Sequence, residues 1–62
     1  MTYKQGVELI KSIFAATAKG YERDAHFKCV YKIDALMDAG AISYKMGDRL
    51  KNYVFEYRAA VE

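Results

Sequence analysis

Few residues in this chain could do chemistry. His26 and Cys29 stand three apart, which puts them on neighbouring positions of a helix and makes a thiol–imidazole dyad geometrically conceivable. A dyad also needs a third group to orient the imidazole, and none is placed for it. Ser12 and Ser43 are the other candidate nucleophiles for His26, but neither sits on the strained elbow that exposes a catalytic serine. Asp34 and Asp38 are one turn apart, with Lys32 and Arg23 near in sequence, the pattern of a solvated helix flank. One histidine and one cysteine argue against a zinc cluster within one chain, and Gly40 and Gly47 match no nucleotide-binding fingerprint. The chain therefore reads as non-enzymatic, with no metal and no cofactor. On a helical projection His26 falls with Val30, Ile33 and Met37, as a partly buried histidine whose pKa burial would lower. Cys29 falls at the margin of that stripe, where a free cysteine behaves as a small hydrophobe.

Three helices would position these residues. The central feature is a hairpin: a helix, a turn through Asp38-Ala39-Gly40-Ala41-Ile42-Ser43, and a second helix. Gly40 suits the left-handed residue that ends a helix, and Ser43 suits the N-cap of the next. In the first helix of the pair Val30, Ile33 and Met37 share a face, with Phe27 and Leu36 on its flanks. In the second, Met46, Leu50, Tyr53, Val54, Tyr57 and Val61 recur at helical spacing. A further amphipathic helix precedes the hairpin. Thr2-Tyr3-Lys4-Gln5 fits a capping box, Tyr3, Val7, Ile10 and Phe14 form its stripe, and Gly20 is its natural stop. Asp24 is placed to cap the second helix, and Gly6 offers room for a close helix crossing. The fold expected is all-α, a three-helix bundle in one domain over 1–62, with helices at about 3–19, 24–38 and 44–60.

Part of the hairpin resembles known motifs. Its glycine-containing turn is similar to that of helix-turn-helix DNA readers, though Leu36 stands four before Gly40 where such motifs carry a small residue. Gly47 and Asp48, early in the following helix, would be poor base readers. The run Leu36 to Ser43 also resembles the Gly-x-Ile-Ser/Thr hairpin of short bacterial oligomerisation domains, without the acidic residue such domains place after the serine. Neither likeness extends past the hairpin, and neither assigns a family.

Size and charge narrow the functions. A chain of 62 residues buries only about 60% of its unfolded surface, so small proteins usually add a disulfide, a metal or a partner. One cysteine rules out an internal disulfide, which leaves tight packing or self-association. A net charge of +2 is too small to imply nucleic-acid binding by itself. No apolar run approaches the roughly 18 residues of a membrane span. Met1 to Gln5 has no signal-peptide character, and a lone thiol fits a reducing compartment, so a cytoplasmic location is expected.

The last helix is apolar on two sides. Phe55 falls almost opposite the core stripe, with Tyr44, Asp48, Lys51 and Ala59 on its side at helical steps. An exposed phenylalanine ringed by tyrosine, alanine and charge has the composition of a contact surface. Tyr3, Tyr53 and Tyr57 are assigned to the core, and Tyr21, Tyr31 and Tyr44 to solvent. The expected function is protein–protein association. The chain would be a small, phage-like accessory protein that regulates or inhibits a larger protein, or pairs with itself as a homodimer. The alternative is a nucleic-acid module using Lys28, Tyr31 and Lys32 on one helix and Lys45, Arg49 and Asn52 on the next. For that, the two basic strips must adjoin.

Overall fold

A computed structural model describes residues 1–62 as three helices, α1 (Tyr3–Ala15), α2 (Glu22–Asp38) and α3 (Tyr44–Val61), packed as a small all-α bundle. Local chemistry sets each boundary. Thr2 closes the capping box at the start of α1: its hydroxyl accepts from the Gln5 amide at 3.1 Å, and its own amide donates to Gln5 Oε1 at 2.8 Å. The hairpin turn is a Schellman motif. Gly40 takes φ +73°, its amide donates to Met37 O, and the Ala41 amide reaches Leu36 O at 2.9 Å. Ser43 then caps α3, its Oγ accepting from the Met46 amide at 3.1 Å.

Two boundaries depart from expectation. α1 stops at Ala15, not at 19, because Thr17 competes with the backbone. The Thr17 hydroxyl donates to Ile13 O at 2.8 Å, the carbonyl its own amide would take in a continuing helix, and that amide goes to Phe14 O instead. Lys19 thus lies beyond the helix it was expected to end. α2 begins at Glu22, not Asp24. Its N-cap is Tyr21, which makes no side-chain cap bond. Gly20 at φ +96° makes the turn, and Glu22 Oε2 accepts from the Gly20 amide at 2.7 Å. Asp24 sits inside the first turn with Glu22, where both carboxylates face the positive end of the helix dipole.

The core is a single cluster: Ile10 and Phe14 from α1, Ala25, Cys29 and Ile33 from α2, Ile42 from the turn, Leu50 and Val54 from α3. The expected stripe on α2 is corrected by a partial rotation. Ala25 and Cys29 are fully buried, whereas His26, Val30 and Met37 are only half-buried and Phe27 is exposed. α2 touches both other helices, so its small side chains take the centre and its larger ones the flanks. On α3, Leu50 and Val54 are buried and Met46, Tyr53 and Tyr57 pack against the cluster as expected, with Tyr3 edge-on to Tyr53 at 6.5 Å. Val61, expected on the same stripe, instead lies in the last turn past the end of the core and is 44% exposed.

Glycines set the closeness of the helices. Gly6 is buried where α1 crosses α3, and a Cβ there would meet Leu50 Cδ2 at 2.5 Å. Gly47 likewise leaves room for the Met37 side chain at the α2–α3 seam. An exposed helical Gly→Ala change would gain about 1 kcal/mol from propensity. Gly6→Ala should instead destabilise by about 1–2 kcal/mol, since Leu50 is enclosed and cannot yield freely. Urea unfolding followed by circular dichroism measures this; a raised midpoint would refute the close-crossing reading.

Candidate protein-docking face

α2 and α3 run antiparallel and share the largest helix–helix contact. Three contacts fix their register along the seam: Met37 over Gly47, Asp34 with Lys51, and His26 with Phe55. The Lys51 ammonium lies 2.6 Å from Asp34 Oδ1. Lys51 is therefore engaged across the seam within the chain, and only part of its length is available to a partner.

Above this seam lies an aromatic surface. Phe55 is 68% exposed although its neighbour Val54 is completely buried, because consecutive helical residues point about 100° apart. Tyr31 on α2 is 68% exposed and Phe27 is 41% exposed, their rings stacked at 6.4 Å. His26 joins the two helices beneath them, edge-on to Phe27 at 5.7 Å and to Phe55 at 6.5 Å. The Arg23 guanidinium lies 5.7 Å from the Phe27 ring centre. Beyond Phe55, a shallow depression of about 260 Å³ is lined by Phe55, Arg58, Ala59 and Glu62, with Arg58 Nε donating to Glu62 Oε1 at 2.6 Å.

Of the predicted contact residues, Phe55, Tyr44, Asp48 and Ala59 are all exposed on α3, with Tyr44 at 76%. Phe55 and Ala59 share the depression, and Tyr44 lies nearly three turns away at the hairpin end. The α2 half of the face was missed. Phe27 had been placed on the flank of the core stripe and Tyr31 among the basic residues. The available signal was the Phe27–Tyr31 one-turn spacing, an aromatic pair on a single helix face.

The two basic strips do not adjoin. Lys32 is two residues before Asp34, and Arg49 two before Lys51, each about 200° round its helix from the seam. When Asp34 and Lys51 meet, the strips therefore fall on opposite outer sides of the hairpin. Arg49 turns towards α1, its guanidinium 4.2 Å from the Tyr3 ring centre. Lys28, Lys45 and Asn52 are exposed. Gly47, weighed above as a base-reading position, is buried under Met37. No helix is long and apolar enough to cross a membrane, and no three His, Cys, Asp or Glu side chains converge to hold a metal ion.

Two titratable groups are shifted. Burial pushes the Cys29 thiol up to about 11, and Sγ donates to Ile10 O at 4.0 Å. A thiol held neutral in the core is neither nucleophile nor ligand. His26 is shifted down, first by desolvation and then by the Arg58 cation, with Glu62 opposing. Its Nδ1 is buried and has no hydrogen-bond partner. These shifts predict the pH dependence of stability. Where the folded thiol holds its proton and the unfolded thiol, with its ordinary pKa near 9, has lost it, stability falls as pH rises from about 9 to 11. In denaturant at neutral pH, Cys29 should become alkylated at once; in the native protein it should react only as fast as the chain opens. For His26 the sign reverses. Its contribution is complete above the ordinary value of 6.5 and declines as pH falls towards the lowered native value, because the unfolded chain takes up the proton first. A His26→Gln variant should lose that mildly acidic slope in urea midpoints measured from pH 8 to pH 5, and an unchanged slope would assign it elsewhere.

No protein-family model, curated protein or solved structure matches the chain.

Proposed function

We propose that this protein works by binding another protein chain, seating the outer face of α2 and α3 against it, and that it serves as a small regulator or inhibitor rather than as a catalyst. One observation carries the reading: Phe55 and Tyr31 are each 68% exposed and Phe27 41% exposed on the outer side of the α2–α3 hairpin, where the chain leaves most of the first two rings uncovered. Single apolar residues on a surface are ordinary. Three aromatic rings from two helices, joined through one histidine and rimmed by Arg23, Arg58, Glu62 and the Asp34–Lys51 pair, form a contiguous patch. Apolar centres with charged rims are the usual anatomy of a protein interface, and aromatic residues are its usual anchors.

Phe55→Ala should change folding stability by less than about 0.5 kcal/mol, since the ring is exposed. A photo-crosslinking phenylalanine analogue at position 55, used inside the cell that expresses the chain, should give covalent adducts with protein. The same analogue at Ala18, exposed in the α1–α2 turn, should not. Adding Tyr31→Asp should abolish the position-55 adducts. Equal labelling at both positions, or unfolding by Phe55→Ala, would sink the proposal. So would salt-sensitive capture of a labelled oligonucleotide that survives Phe55→Ala, because that is the behaviour of a phosphate-binding surface.

A further inference from the structure

Resting on that docking face, we infer that its occupant is a second copy of this chain, with α2 of one protomer laid on α3 of its partner about a two-fold axis parallel to the hairpin. The charge layout favours this pairing. Near the open end of the hairpin the face carries Arg23 on α2 and Glu62 on α3. One to two turns below the rings it carries Asp34 on α2 and Lys51 on α3. The antiparallel register fixed by Met37–Gly47, Asp34–Lys51 and His26–Phe55 extends to place Arg23 level with Arg58 and Glu62. At the lower height the sign on α2 is opposite to the sign on α3; at the open end Arg23 is level with the Arg58–Glu62 pair, of which Glu62 supplies the opposite sign. A two-fold that exchanges the helices sets Arg23 against Glu62 of the other protomer, and Asp34 against its Lys51. It also sets Phe55 against the Phe27–Tyr31 stack of the other chain, twice over, as an isologous contact requires.

Size agrees with such a contact. A fully buried aromatic side chain contributes about 150–250 Å². At their exposures, Phe27, Tyr31, Phe55 and Tyr44 together offer on the order of 500 Å². With the charged rim, each protomer reaches the roughly 800 Å² of a modest specific interface, which suits a reversible dimer. The face holds both signs in balance, Arg23, Lys51 and Arg58 against Asp34, Asp48 and Glu62, so it presents no net field that would select a strongly acidic or basic partner.

Sedimentation equilibrium of the full chain, from micromolar to millimolar concentration, tests this. The expected result is a mass rising from monomer to dimer. Phe55→Ala should keep the helical circular dichroism and stay monomeric throughout. Arg23→Glu and Glu62→Arg should each weaken self-association roughly tenfold, since like charges then meet in both symmetry-related contacts at the open end. An equimolar mixture of the two should recover dimer, because in the mixed pair both contacts at the open end join opposite signs. A wild-type chain that stays monomeric at millimolar concentration overturns the inference, as does a Phe55→Ala chain that still dimerises or a mixture that fails to recover. If position 55 meanwhile crosslinks to a different protein, the docking face stands and only the identity of its occupant is wrong.

Discussion

The interior of this bundle is a single cluster of eight buried residues, and that small size governs the rest. One cysteine excludes a disulfide within the chain, and no three His, Cys, Asp or Glu side chains converge. Stability rests on eight buried side chains and on how closely three helices approach around them. Close approach needs small residues at the crossings. Gly6 lets α1 lie against Leu50, Gly47 accepts Met37, and Ala25 and Cys29 face the interior of α2. An interior built this way has no room for further rings. Tyr3, Phe14, Tyr53 and Tyr57 occupy the seam of α1 with α3 as two edge-on pairs, Phe14–Tyr57 at 5.1 Å and Tyr3–Tyr53 at 6.5 Å. Phe27, Tyr31 and Phe55 are left on the far side of the hairpin. The aromatic face is thus a consequence of tight packing in a small chain whose composition holds more aromatic residues than its core can enclose.

The turn of the hairpin, the start of α1 and the division of the tyrosines are legible in the sequence, because each turn and cap rests on local chemistry. Gly40 in the left-handed region, Ser43 as a cap, and Thr2 with Gln5 all act within four residues of themselves. The rotation of α2 was not legible. Its amphipathicity is weak, and centring the stripe on its largest apolar residues draws it towards Val30 and Phe27. The true centre is the small pair Ala25 and Cys29, whose burial depends on two neighbouring helices and so on tertiary structure. The end of α1 was missed for a different reason. Gly20 is a strong stop signal, but the Thr17 hydroxyl takes the Ile13 carbonyl first. In the candidate site, Phe55 followed from helical geometry alone, while its companions on α2 required the register of the hairpin.

His26 links the core to the surface. Its Nδ1 is buried without a partner, while its ring meets Phe27 on its own helix and Phe55 on the next. Such a residue holds the two aromatic halves together by shape and not by hydrogen bonding. The neutral form is favoured by desolvation and by Arg58, so the apolar contact persists at neutral pH. Protonation would place a cation between two rings and beside an arginine, partly offset by Glu62, so the aromatic surface and the stability of the hairpin share one titrating group.

The ion pairs on this face matter more for what covers them than for what they hold. Exposed pairs such as Asp34–Lys51 and Arg58–Glu62 add little to stability, typically less than about 1 kcal/mol. A lone charge covered by a docking partner would oppose association, since its desolvation would go uncompensated. Here the charges that flank Phe55 are already matched within the chain. A covering surface would therefore meet two neutralised pairs and one unpaired cation, Arg23, which in the proposed two-fold arrangement meets Glu62 of the other protomer. Internal pairing at the rim thus lets a charged helix hairpin carry exposed rings beside charges that are mostly neutralised.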